Sequence, residues 1–147
     1  SDSNSDGWAE YGKYMMVNRV YAAKSLFYRL AVLLSKRSYI AAAIAGMEIH
    51  LEKKTLEEAS DFLMEKQGRT RENTYIWVLN RATYYPTHLT YYIGSEMVRK
   101  LHDDYQVLKG DGYSLKEFND RFLSYGLIPI KVIRKDMLGA ADDDVLF

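Results

Sequence analysis

The residues best suited to chemistry in this chain are tyrosine hydroxyls, three imidazoles and a few carboxylates. Tyr84, His88, Tyr91 and Ser95 recur at spacings of four, three and four. They share one helix face, provided Tyr84 joins that helix, and Tyr92 lies beside them. Such a stripe packs in a core or lines a cleft, and the two readings balance here. If buried, each hydroxyl and imidazole would need a hydrogen-bond partner. If open, the face could donate hydrogen bonds to an oxygen that gains negative charge in a reaction. His50 follows Ala43, Gly46 and Met47, which lie on its side one and two turns back. Those small residues invite another helix, with His50 well placed at a helix C-terminus. That packing is favoured over the alternative, a cleft with His50 on its rim. His102 precedes Asp103 and Asp104 and reads as a solvated helix face without a role.

No compact motif accompanies these residues. There is no glycine-rich phosphate loop, no H-E-x-x-H and no G-x-S-x-G, and the three histidines lie too far apart for a local metal motif. Cysteine is absent, which excludes disulfides and thiolate metal sites. Twenty basic residues balance twenty acidic ones, so no strong field draws nucleic acid. No segment approaches the roughly 20 apolar residues of a membrane span. Neither a cytoplasmic nor a periplasmic or secreted location is favoured. Thirteen tyrosines suit half-buried, half-wet surfaces.

The elements that must position these groups read as helices throughout. Asp6 can cap a first helix reaching about Asn18. Leu26, Leu30, Leu33, Arg37, Ile40, Ile44, Met47 and Leu51 form one stripe on a long helix from about Tyr21 to Leu51, interrupted only by Arg37. Thr55 with Glu58, and Ser114 with Glu117, match capping boxes. Gly68 and Gly126 stop the helices that follow, and a further segment runs from about Glu72 to Ala82. Pro86 and Pro129 suit first turns, the helix from Pro86 running to about Leu108 and that from Pro129 to about Leu138. The expectation is an all-α helical bundle. Residues 1–5 would be disordered or a cut edge, 6–138 one domain, and 139–147 a frayed acidic tail.

Four segments in order, "DGWAEYG", "GMEIH" with "KKTLEEA", "RATYYPTHLTYYIG" and "YSLKEFNDRFLSYGLIPI", resemble the C-terminal part of the bacterial domain of unknown function 885 family. The resemblance runs from Asp6 to Leu138 and implies the helical lobe of a zinc metallopeptidase related to the gluzincins. Asp6 stands where the family's Glu-Gly-Trp-Ala-x-Tyr pattern has a glutamate, the implied third zinc ligand, and Tyr11 matches its tyrosine. His50 falls on the histidine of an Asp-Thr-Gly-x-His segment, while Gly46 and Ala42 replace its aspartate and a preceding arginine. Losing both partners together leaves neither charge unpaired. Arg81, Pro86, Tyr91, Ile93 and Gly94 match a further run in which His88 and Thr87 replace glutamine and glycine.

The resemblance thus implies Asp6 as a metal ligand, His50, His88 and Tyr91 as catalytic groups, and Tyr11, Tyr84 and Tyr92 as substrate-binding residues. The His-Glu zinc motif would lie upstream, so zinc is expected in the intact protein and none in this chain alone. The partners implied are a peptide substrate or the missing N-terminal lobe. The competing expectation is a non-catalytic helical binding module that kept the fold and lost the chemistry.

Overall fold

Helix starts are set by local side chains where the sequence supplies them. Thr55 Oγ1 accepts from the Glu58 backbone N–H at 3.2 Å, and the Glu58 carboxylate accepts from the Thr55 N–H at 2.8 Å. This is a complete capping box. Ser114 makes only half of one: its hydroxyl accepts from the Glu117 N–H at 3.4 Å. The Glu117 carboxylate turns instead to the Tyr105 hydroxyl at 2.7 Å and to Lys109 at 3.2 Å.

The computed structural model describes residues 1–20, 25–68, 70–83 and 88–139. These form seven α-helices and no strand: α1 Asp2–Met15, α2 Leu26–His50, α3 Leu56–Gln67, α4 Arg71–Ala82, α5 His88–Lys109, α6 Leu115–Ser124 and α7 Ile130–Leu138. A π-helical turn, Met16–Val20, extends α1. A 3₁₀ turn, Gly110–Gly112, separates α5 from α6. The chain is all-α. Tyr84 and Pro86 lie outside the described residues, as does the expected tail from residue 140 onward.

Two expectations about the start need correction. Asp6 does not cap α1, and residues 2–5 are not disordered: they are its first turn. The Asn4 side-chain amide donates to the carbonyls of Gly126 and Ile128 at 3.1 and 2.7 Å, and the Ser1 amino group donates to that of Leu127. The α6–α7 connection therefore holds the front of α1 in place, and the helix begins four residues before Asp6.

Helix α5 is the axis of the molecule, touching α1, α2 and α7. Residue pairings fix its directions. Gly7 meets Gly94 and Tyr11 meets His102, so α1 runs parallel to α5. Lys36 meets Glu96 and Tyr39 meets His88, so α2 runs antiparallel to it. The core divides in two. Tyr11, Leu101, Tyr105, Phe118, Phe122 and Ile133 pack together from α1, α5, α6 and α7. Ala41, Ala45, Ala59, Leu63 and Val78 form a smaller cluster from α2, α3 and α4.

The leucine stripe of α2 is not its buried face. Leu26, Leu30 and Leu33 are exposed, whereas Ala41, Ala42, Ala43, Ala45 and Gly46 are buried. Neighbouring helices approach the small-residue face because it admits their backbones closely, and the bulky residues are left outside.

Candidate functional site

The close passage of α1 over α5 is what shapes the site. A Cβ at Gly94 would lie 2.1 Å from the Ser3 carbonyl oxygen, and one at Gly7 would lie 2.3 Å from the Gly94 carbonyl carbon. Only glycine allows this approach at either position. One helical turn further on, bulkier side chains spread α1, α2 and α5 around a cavity of about 50 Å³. Its walls include Glu10 and Tyr11 of α1, Lys36 and Tyr39 of α2, and Tyr91, Tyr92, Ser95, Glu96 and Arg99 of α5.

Aromatic rings and ion pairs hold these walls. Tyr39 stacks on Tyr91 with centroids 5.5 Å apart and planes at 5°. The Lys36 ammonium lies 5.6 Å above the Tyr92 ring and 2.7 Å from Glu96. Arg99 reaches the same carboxylate at 2.8 Å. Burial pushes the Glu96 carboxyl up, but hydrogen bonds from Lys36 and Arg99 outweigh it and hold the group below the ordinary carboxylate range. The hydrogen bond that Arg99 donates to Glu96 leads the causes that raise its guanidinium. Burial pulls the Lys13 ammonium down, yet its hydrogen bonds to Glu10 and Tyr39 raise it overall. Two cations, Lys36 and Arg99, thus face two carboxylates, Glu10 and Glu96, around the cavity.

The structure gathers part of the anticipated set. Tyr11, Tyr91 and Tyr92 line the cavity together, although 80 residues separate Tyr11 from Tyr91. Asp6 sits just beyond, its carboxylate accepting from the Thr90 hydroxyl at 2.6 Å. His88 does not face the cavity. Its ring lies between Trp77, stacked at 5.1 Å, and Tyr39 at 5.9 Å, and both ring nitrogens are shielded from solvent. His50 is exposed at the end of α2, eleven residues beyond Tyr39 and so about 16 Å along the helix axis. The small residues Ala43 and Gly46 before it are buried.

Sequence reasoning missed Lys36, Tyr39 and Arg99, whose roles depend on long-range neighbours. It also misread His102, which is 4% exposed rather than solvated. His102 follows Val98 by one turn and precedes Tyr105, both fully buried, so the core period of α5 includes it. Its Nδ1 donates to Asp103 at 2.9 Å, and its Nε2 lies 2.6 Å from the Tyr113 hydroxyl.

Among the described residues, no three His, Cys, Asp or Glu side chains gather closely enough to hold a metal ion. Asp6 is engaged by Thr90, and Glu10, one turn on, is paired with Lys13. A catalytic zinc takes three protein ligands. The residues present do not make such a centre, and no step through zinc is assigned to them.

The chain belongs to the bacterial family called domain of unknown function 885, described as a bacterial protein of unknown function, whose model matches residues 1–137. No curated protein and no solved structure matches it.

Proposed function

We propose that this member of the domain of unknown function 885 family is a helical lobe that binds peptide at the α1–α2–α5 cavity, within a protein of the zinc-peptidase class. The observation that carries the proposal is the convergence of Tyr11, Tyr91 and Tyr92 on one cavity with balanced charge. About 50 Å³ admits a few waters or one small polar group, not a length of chain. Two cations set against two carboxylates favour a neutral group over an ion, and a peptide carbonyl fits both limits. Among the described residues the Tyr91 hydroxyl has no hydrogen-bond partner, since its contacts are through the ring. It is therefore available to donate to that carbonyl. In a reacting complex the same donor would favour a developing oxyanion. Zinc in the intact protein would draw its ligands chiefly from outside this chain, with Asp6 as its one contribution. Peptide substrate is the partner on this reading.

A second reading is favoured by the Thr90–Asp6 hydrogen bond and the shielded His88 nitrogens: a binding module without chemistry. One set of measurements addresses both. Capped tetra-alanine titrated into isotopically labelled chain should shift the amide resonances of Lys36 and Tyr91–Glu96. Tyr91→Phe should weaken that binding severalfold while leaving the unfolding midpoint nearly unchanged. Absence of shifts at millimolar peptide, or equal binding by the variant, would overturn the peptide site. Zinc-dependent peptide hydrolysis by the intact parent protein, lost in its Tyr91→Phe variant, would eliminate the non-catalytic reading.

A further inference from the structure

The two helices that meet at Gly7 and Gly94 also enclose a second cavity further along, of about 90 Å³. Tyr11, Tyr14 and Arg99 line both cavities. The second adds Asn18, from the π-helical turn, and His102 and Asp103 of α5. Its polar groups are held in place. Asp103 accepts from Arg99 at 3.1 Å and from the buried His102 ring at 2.9 Å. The other ring nitrogen of His102 lies 2.6 Å from the Tyr113 hydroxyl. The Asn18 amide nitrogen donates to the Tyr14 carbonyl at 2.8 Å, which fixes that side chain. Among the described residues, the Asn18 side-chain oxygen and the Tyr14 hydroxyl have no hydrogen-bond partner.

These groups define what the cavity accepts. One cation, Arg99, and one carboxylate, Asp103, line it and pair with each other. An entering ammonium would meet Arg99, and an entering carboxylate would meet Asp103. An apolar group would strip water from the Asn18 oxygen and the Tyr14 hydroxyl without replacing its hydrogen bonds. A primary amide carries no charge, donates through its N–H groups and accepts through its carbonyl. It can meet the Asn18 oxygen and the Tyr14 hydroxyl together. About 90 Å³ is roughly three waters' share of liquid volume, enough for an amide and wide for a lone hydroxyl. Arg99 follows Tyr91 by eight residues, about 12 Å of helix axis, which an extended peptide spans in about 3–4 residues.

We propose that the second cavity is a subsite for an amide side chain, selecting peptides with glutamine or asparagine a few residues from the carbonyl held at Tyr91. The proposal rests on the peptide reading of the first cavity. The probes are capped heptapeptides with glutamine, glutamate or methionine between two alanine triplets, titrated into the isotopically labelled full chain. The triplets place a carbonyl within reach in either chain direction. The glutamine probe should bind about fivefold more tightly than either twin, the worth of one net hydrogen bond. It should shift the amide resonances of Asn18 and Asp103 as well as those of Lys36 and Tyr91. Asn18→Ala, at an exposed position, should bring the glutamine and methionine probes to equal affinity and leave tetra-alanine binding unchanged. Asp103→Asn, with its helical circular dichroism checked, should remove the disadvantage of the glutamate probe. Equal affinity of the three probes, with the shifts at Lys36 and Tyr91 intact, would overturn the subsite and leave the first cavity standing. A preference unaltered in both variants would do the same. Shifts at Asn18 and Asp103 with none at Lys36 or Tyr91 would overturn the reading of the first cavity instead. No shift at any of the four would overturn both.

Discussion

The two halves of this bundle bury different kinds of residue. Around α5, α6 and α7 the interior is made of large rings and branched chains: Tyr105, Phe118, Phe122, Leu101 and Ile133 are all at most 1% exposed. His102 enters that interior with Tyr113 as partner, and Arg134 with Asp104 at 2.7 Å. Around α2, α3 and α4 the interior is chiefly alanine with Leu63 and Val78, while six large apolar residues of α2 from Leu26 to Leu34 remain exposed. Hydrophobicity alone therefore does not decide burial. Helices α6 and α7 fold over one side of α5 and give its neighbours something to pack against; nothing among the described residues does so for the first two turns of α2. The cavity lies at the seam, where α1 and α5 from the dense half meet α2 from the sparse one.

The largest expected effect separates the halves directly. Phe122 is 1% exposed and stacks on Trp8 at 4.9 Å. Phe122→Ala should cost about 3–5 kcal/mol, the lost transfer energy plus a cavity. Leu33→Ala, at a position 63% exposed, should change stability by less than about 0.5 kcal/mol. Urea unfolding of both variants checks the contrast. Similar losses would mean that the α2 face is covered in solution.

Next in size is a test of the contact that sets the seam. Gly94→Ala has no room, with the Ser3 carbonyl 2.1 Å from the new carbon, and α1 must shift to relieve the overlap. Overpacking of this kind costs about 1–3 kcal/mol. Gly12 lies in the same helix as Gly7, but a Cβ there would meet nothing within 4 Å. Gly12→Ala should instead add about 0.5–1 kcal/mol by stiffening the unfolded chain and favouring the helix. Thermal melts that moved in the same direction for both variants would contradict the parallel α1–α5 packing.

What could be read beforehand follows the same division between local and distant causes. Thr55 and Glu58 stand three residues apart and satisfy each other, so their box was legible in full. Ser114 and Glu117 have the same spacing, but Tyr105 and Lys109 compete for the carboxylate, and no local pattern reports them. The α2 stripe was legible as a period, but a period says which residues share a face and not which face is covered. His102 was judged by its two acidic neighbours rather than by its place between Val98 and Tyr105. At the site, Tyr11, Tyr91 and Tyr92 were recognisable by type. Their placement around one cavity depends on Gly7 lying against Gly94, a pairing across 87 residues that neither glycine announces.

The smallest expected effect concerns charge at the seam. Glu96 joins the halves, receiving Arg99 from its own helix and Lys36 from α2. Burial alone would raise its carboxyl, yet the two cations hold it below the ordinary value of 4.5. The sign follows from linkage: with the folded value depressed, the contribution is complete above about pH 4.5 and disappears as pH falls through the folded value. Glu96→Gln should therefore be less stable than the parent at pH 7, with the gap shrinking as pH falls below about 4.5. The gap at pH 7 should stay below about 1 kcal/mol, because Lys36 and Arg99 are 44% and 42% exposed and water screens the pair. Other depressed carboxylates, Asp104 among them, will destabilise both proteins in acid, so the difference between the two curves is the measured quantity. A gap that stayed constant across pH would mean that Glu96 acts through packing alone. Lys36→Met should reproduce part of the same convergence, since it removes the cation supplied by α2. If it does not, Arg99 alone holds the carboxylate, and the charge at the seam belongs entirely to the dense half.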